Sequence, residues 1–212
     1  MITEPKPKKD KQLTKRKLID AVGKILKAQE FDHVGVNQIA KLAHVHKKLI
    51  YRYFGKVDYL LEAYIAEKDF WLRMSTEDNG DKTIKNDFNP EFFSALIKEN
   101  FEELYNQDEL QDLSLWQLNT DTPLMRSVAK VTEDVVLKYA RLSEKDNSEN
   151  DIRFRAMIAI LLGGIHYCVL KFKKNGNAFM GIDLNDSDTR EELKKAIDEI
   201  VKSAYCSVDN FS

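Results

Sequence analysis

The stretch His46–Phe54 gathers side chains that can meet an anion: His46, Lys47, Lys48 and Arg52, with Leu49, Tyr51 and Tyr53 among them. A helix this short with three cations and few acids nearby is costly to form unless something anionic offsets the repulsion. Lysine can donate to guanine N7 and O6, and leucine can pack on a thymine methyl. Lys47, Lys48 and Leu49 therefore have the chemistry of base-edge readers. Lys56 falls at the start of the next helix, where free backbone N–H groups already favour anions. Tyr51 and Tyr53 could instead be aromatics of a small local core. Other chemistry is thin. His33, His44 and His46 lie close in sequence, but no carboxylate or cysteine sits at ligand spacing beside them, so no metal is expected. There is no Gly-rich phosphate loop, zinc motif or nucleophile elbow, and no cofactor is implied. An enzyme would need convergent acid and base groups, and the buried-looking helices offer almost none. Cys168 and Cys206 lie far apart in helical patterns, which points to free, apolar-packed thiols in a reducing, cytoplasmic setting, with redox sensing as the alternative.

These side chains need helices to hold them, and the chain is patterned for helices throughout. Apolar residues make up 43% of 212, enough for a core and against wholesale disorder. Four prolines and eight glycines are few for an all-β chain of this size. No apolar run reaches the ~20 residues of a membrane span, and the lysine-rich segment Met1–Gln12 is not the pattern of a secretory signal. Leu18, Ala21, Val22, Ile25 and Leu26 follow helical spacing, so a first helix runs from between Asp10 and Thr14 to Glu30. Two short helices, about Val36–Ala43 and His46–Phe54, flank a tight turn at His44-Val45, the geometry of a helix-turn-helix. Ile39, Ala40, Ala43, Val45, Ile50 and Phe54 can close a small core with the first helix. A fourth helix is expected from Lys56 to about Arg73, and a loop from Ser75 to Phe88. Asn89-Pro90 and Thr122-Pro123 each read as cap-then-proline helix starts, and Asp188 with Glu191 as a capping box. Met157–Leu170 is apolar nearly all round, so it must be buried on every side. The reading is all-α with about nine helices: residues 1–55 as a helix-turn-helix domain with an arm at 1–12, and 56–212 as a helical body. Charge divides the same way. Residues 1–56 hold 14 Lys and Arg against 5 Asp and Glu, net +9, and residues 57–212 hold 19 against 30, net −11. A basic head suits a polyanion, although lysines can simply solvate a small domain.

Val36-Asn37-Gln38-Ile39-Ala40-Lys41-Leu42-Ala43, then Val45, then Leu49-Ile50-Tyr51-Arg52-Tyr53-Phe54, Lys56 and Leu60-Leu61 resemble the tetracycline-repressor (TetR) family. The family pattern reads roughly V-x-x-I-A-x-x-A-G-V-S-x-x-x-[LI]-Y-x-[HY]-F-x-x-K-x-x-L-[LI]. The match spans about residues 14–65. Gly35 stands where the family has a Thr or Ser cap, His44 where it has the turn glycine, and His46 where it has a Ser cap. Lys48 stands where a small residue is common. The resemblance implies a dimeric transcriptional regulator, by family default a repressor, that binds a palindromic duplex operator and leaves it when a small ligand binds. It implies phosphate contacts from Tyr51 and Lys56, with Tyr53 near the backbone or a thymine methyl. It also places an effector pocket among the aromatics of the body, where Trp71, Phe101, Tyr105, Trp116 and His166 suit an apolar or amphipathic ligand; ordinary core is the other reading. The last two helices would form the dimer interface, with Leu161, Gly164, Cys168, Ile197, Ile200 and Ala204 as candidates. The alternative is a helical ligand-binding or interaction module without sequence-specific DNA binding.

Overall fold

The computed structural model describes residues 8–28, 34–77, 89–140, 149–176 and 178–209. Among them the regular elements are ten helices: α1 Lys8–Lys27, α2 Val36–Leu42, α3 Lys48–Phe54, α4 Val57–Lys68, α5 Phe70–Glu77, α6 Pro90–Asn106, α7 Asp108–Asn119, α8 Pro123–Tyr139, α9 Glu149–Asn175 and α10 Ser187–Asp209. The only β-type pairing among them is an isolated bridge between Phe179 and Ile182. The all-α expectation holds.

The tenth helix arises from a break inside the expected fourth. Asp69 has an extended ψ of 126°, and its Oδ1 accepts from the Leu72 N–H at 3.1 Å. It therefore caps a new helix where the apolar spacing alone runs on. Ser75 to Glu77 complete the last turn of α5 rather than opening a loop; residues 78–88 of that expected loop, like His33 and residues 1–7 of the arm, lie outside the described residues. α1 begins at Lys8, so the later part of the expected arm is helical. Asn89 caps α6 through the Phe92 N–H at 2.8 Å, and Thr122 caps α8 through Met125. The start of α10 differs from the expected box. Asp186, two residues before Asp188, accepts from the Asp188 N–H and the Thr189 hydroxyl.

The chain packs as two compact units, Met1–Arg73 with Asp108–Val131, and Met74–Gln107 with Thr132–Ser212. In the first, α1 packs on α2, α4 and α7, and α3 on α4. Leu18, Ala21, Val22, Ile25 and Leu26 are all buried, as their spacing requires, together with Ile39, Ala40, Ala43 and Ile50; Val45 and Phe54 are half-buried. Gly23 lets α1 approach closely: a Cβ there would lie 2.8 Å from Glu109 Oε1 and 3.3 Å from the Tyr64 ring. In the second unit α10 packs on α9 and α6, and α6 on α9. Phe93 and Phe154 both meet the Tyr205 ring edge-on. The Ser94 hydroxyl donates to Asp198, which Lys98 also pairs at 2.7 Å.

Within a single chain α9 is buried on one side only. Within the chain it buries Phe154, Ile158, Leu161, Ile165, Val169 and Phe172, while Ile152, Ile160 and Tyr167 are exposed. A Cβ on Gly163 or Gly164 would have nothing within 4 Å. Ile152–Asn175 is also long and apolar enough by composition to cross a membrane. That corrects the expectation that no segment reaches this length, although a core helix passes the same test, and the inner face of α9 is core.

Candidate nucleic-acid interface and ligand site

The turn between α2 and α3 closes by backbone geometry. Ala43 is the C-cap of α2 and His44 follows with φ +53°. The His44 N–H donates to Lys41 O at 3.2 Å and the Val45 N–H to Ala40 O at 3.1 Å, the paired bonds of a Schellman end. Histidine thus takes the left-handed position that glycine fills in the family pattern. The next step uses a second histidine. His46 Nδ1 accepts from the Lys48 N–H at 3.2 Å, and its carbonyl accepts from the Leu49 N–H at 2.9 Å. Lys47 occupies the N-cap position of α3 and its side chain makes no cap bond; the His46 ring one residue earlier takes the N–H of the first helical residue instead, as a capping hydroxyl would. Lys47 Nζ reaches Asn37 Oδ1 at 3.5 Å, tying the two helices at the turn. At the far end Gly55 stops α3 with φ +83°, a conformation that penalises any residue with a Cβ.

Ile50 is fully buried, so the register of α3 is fixed, and the opposite side faces out. His46, Lys47, Lys48, Tyr51, Arg52 and Lys56 are exposed, and Leu49 and Tyr53 are half-buried. Tyr51 is 52% exposed, which removes it from the small core. Two cations lie over the Tyr53 ring, Lys11 at 6.0 Å and Arg52 at 5.9 Å from its centroid. Lys56 is the N-cap of α4 and no side chain caps that end. Among the described residues none of Lys47, Lys48, Arg52 and Lys56 makes an ion pair.

Behind this face, groups that sequence reasoning did not single out hold α1, α4 and α7 together. Arg16 pairs with Glu67 at 2.7 Å and Lys68 with Glu109 at 2.9 Å. The buried Tyr64 hydroxyl donates to Glu109 at 3.2 Å. Burial alone would raise the Glu67 carboxyl, but Arg16 and Lys68 hold it below its ordinary value. Burial, then the Glu109 charge, pushes the Tyr64 hydroxyl far up, so it stays a donor. Partners 41 to 51 residues apart leave no local trace in a sequence.

The expected effector residues divide between the units. Trp71 and Trp116 belong to the first and Phe101, Tyr105 and His166 to the second. Trp71 is buried against Phe70, ring edge to face at 5.1 Å. Trp116 lines a half-open cleft of about 560 Å³ with Val57, Leu61, Pro123 and Met125. In the second unit Tyr105 stacks on Phe101 and leans on Phe172, each at 6.3 Å. His166 Nδ1 lies 2.9 Å from the Leu162 carbonyl of its own helix, the contact of a donating imidazole. Of the expected dimer residues, Leu161, Ile197 and Ala204 are buried within the chain, Cys168 is half-buried, and Gly164 and Ile200 are exposed. Burial pushes the Cys168 thiol up, away from thiolate, against the opposing pull of Lys171.

No family model matches the chain and no curated protein does. Among solved structures it is similar to the crystal structure of a TetR transcriptional regulator from Rhodococcus sp. RHA1. The two share 17% identity over 96% of this chain and 100% of that one, with a TM-score of 0.53. At that identity the likeness is one of fold.

Proposed function

We propose that the chain is a homodimeric, cytoplasmic DNA-binding transcriptional regulator, acting as a repressor that a small apolar or amphipathic ligand releases from a palindromic operator. The observation that carries the reading is the outward face of α3: cations and a tyrosine, all solvent-facing and without acidic partners among the described residues, on a helix whose register and ends are fixed by Ile50, His46 and Gly55. Lys47, Lys48 and Leu49 read base edges, while Tyr51, Arg52, Tyr53 and Lys56 hold phosphates. The likeness of fold to a solved regulator supports it. The effector lodges in the second unit beside Phe101, Tyr105 and His166. α8 runs unbroken from the first unit into the second and carries the signal. A coupling of ~1–3 kcal/mol would lower DNA affinity about 5- to 150-fold.

Selection from a random duplex pool, followed by titration at several salt concentrations, tests this. We expect a two-fold symmetric site and an affinity that falls steeply with salt. Lys56→Ala should weaken all duplexes alike, because phosphate contacts carry no sequence information. Lys47→Ala or Leu49→Ala should relax sequence preference, at roughly 1–3 kcal/mol per lost base contact. No selected sequence, or salt-insensitive binding, favours a helical module that does not read DNA.

A further inference from the structure

Two buried side-chain polar atoms among the described residues have no hydrogen-bond partner: Oδ1 of Asn100 and Oγ1 of Thr132. Both belong to the second unit. A buried acceptor without a partner forfeits the hydration it had in the unfolded chain, and native proteins keep few of them. Asn100 is only 3% exposed and shares α6 with the fully buried Ile97, Phe101 and Leu104. Thr132 lies seven residues before Tyr139, hence on the same face of α8. The Tyr139 ring meets Phe92 of α6 at 6.4 Å, and Asn100 lies two turns beyond Phe92. The orphaned groups thus sit on two helices that the Phe92–Tyr139 contact brings together.

The surroundings limit what could satisfy them. The second unit buries no Lys, Arg, His, Asp or Glu among its described residues; its buried polar side chains are Ser94 and Asn100, and the Ser94 hydroxyl is spent on Asp198. Lys173 and Arg190 lie over the Tyr105 ring at 5.5 and 5.2 Å, but neither is buried. A charged head group in this interior would have no buried counter-ion, and an isolated buried charge is prohibitively costly. A neutral donor meets no such cost.

We infer that Asn100 and Thr132 are hydrogen-bonding contacts for a neutral, largely apolar ligand bearing a hydroxyl or amide N–H, which donates to Asn100 Oδ1, with the Thr132 hydroxyl offering a second polar contact. This rests on the reading of the second unit as the effector-holding part, and names the class of effector.

The test uses the full chain and two probe series that differ only in the head: 2-naphthol, 2-methoxynaphthalene and 2-naphthoate; and 1-decanol, decyl methyl ether and decanoate. Thermal stability is followed with each probe for the wild type and for Asn100→Leu and Thr132→Val, which keep the shape and remove the polar atom. We expect naphthol or decanol to raise the wild-type Tm more than the matching ether and carboxylate. In either variant the preference for the hydroxyl should fall about tenfold in Kd, the scale of one hydrogen bond, while the unliganded Tm stays level or rises. The inference is overturned if ether or carboxylate binds as well as the alcohol, if no probe binds, or if both variants melt below the wild type, since trapped water would then satisfy the two groups. DNA affinity without probe is measured in parallel. Its absence would sink the regulator reading and leave the head-group preference standing.

Discussion

The His46 ring does for α3 what a hydroxyl does at most helix starts, its Nδ1 accepting from the Lys48 N–H. Removing it leaves that N–H without its protein partner on the helix proposed to meet DNA. His46→Ala should therefore cost about 0.5–2 kcal/mol, and His46→Ser should recover most of the loss, because serine is among the strongest caps. Urea unfolding of the three proteins reads this directly, and equal midpoints for wild type and His46→Ala would refute the cap. His44 and Gly55 are the complementary cases at this scale. Each holds a positive φ, one in a residue that tolerates the left-handed region and one in the residue that has no Cβ to object.

At the scale of elements, the break at Asp69 is the clearest departure from the apolar pattern. Leu60, Leu61, Tyr64, Trp71 and Leu72 continue one helical stripe, and all are buried, so spacing alone gives no reason to stop. The carboxylate stops it by offering the backbone a better partner at Leu72. Asp69→Ala should lower stability by about 1 kcal/mol, whereas Asp69→Asn should keep the break; circular dichroism melts of the two variants decide, and indistinguishable melts would show that the cap contributes nothing. The same contrast explains what the sequence made legible. The stripe of α1, the starts of α6 and α8 at Asn89 and Thr122, and the outward set on α3 follow from residue type and local spacing. The capping of α10 by Asp186 rather than Asp188 turns on a choice between two nearby aspartates that spacing does not rank. The Arg16–Glu67 and Tyr64–Glu109 pairs join distant segments, and the orphaned Asn100 depends on what three-dimensional packing fails to supply. The site's outward chemistry was therefore readable, and its long-range supports were not.

For the whole molecule, the outward face of α9 is an unfilled requirement among the described residues. Ile152, Ile160 and Tyr167 stand in solvent along one long helix, with Gly163 and Gly164 open between them. Covering an isoleucine or a similar side chain fully contributes about 1.5–3 kcal/mol, so a second copy seated here gains much from a short face. Reading two half-sites of a duplex would require the α3 helices of two copies to sit about 34 Å apart, one turn of duplex or a multiple of it. Gly164→Asp has room within one chain and should fold normally yet sediment as a monomer; a dimer of unchanged affinity would place the interface elsewhere. The composition of the first unit bears on how such a protein can be cut and inherited. α1 packs on α7, with Gly23 leaving room for Glu109, and residues 108–131 rejoin the unit after an excursion of the chain through the other. A fragment ending at residue 55, or at 73, lacks that strut. Crossover between distant relatives at either point would graft a foreign α7 onto a native α1, so α1–α5 and residues 108–131 are expected to be exchanged as one piece.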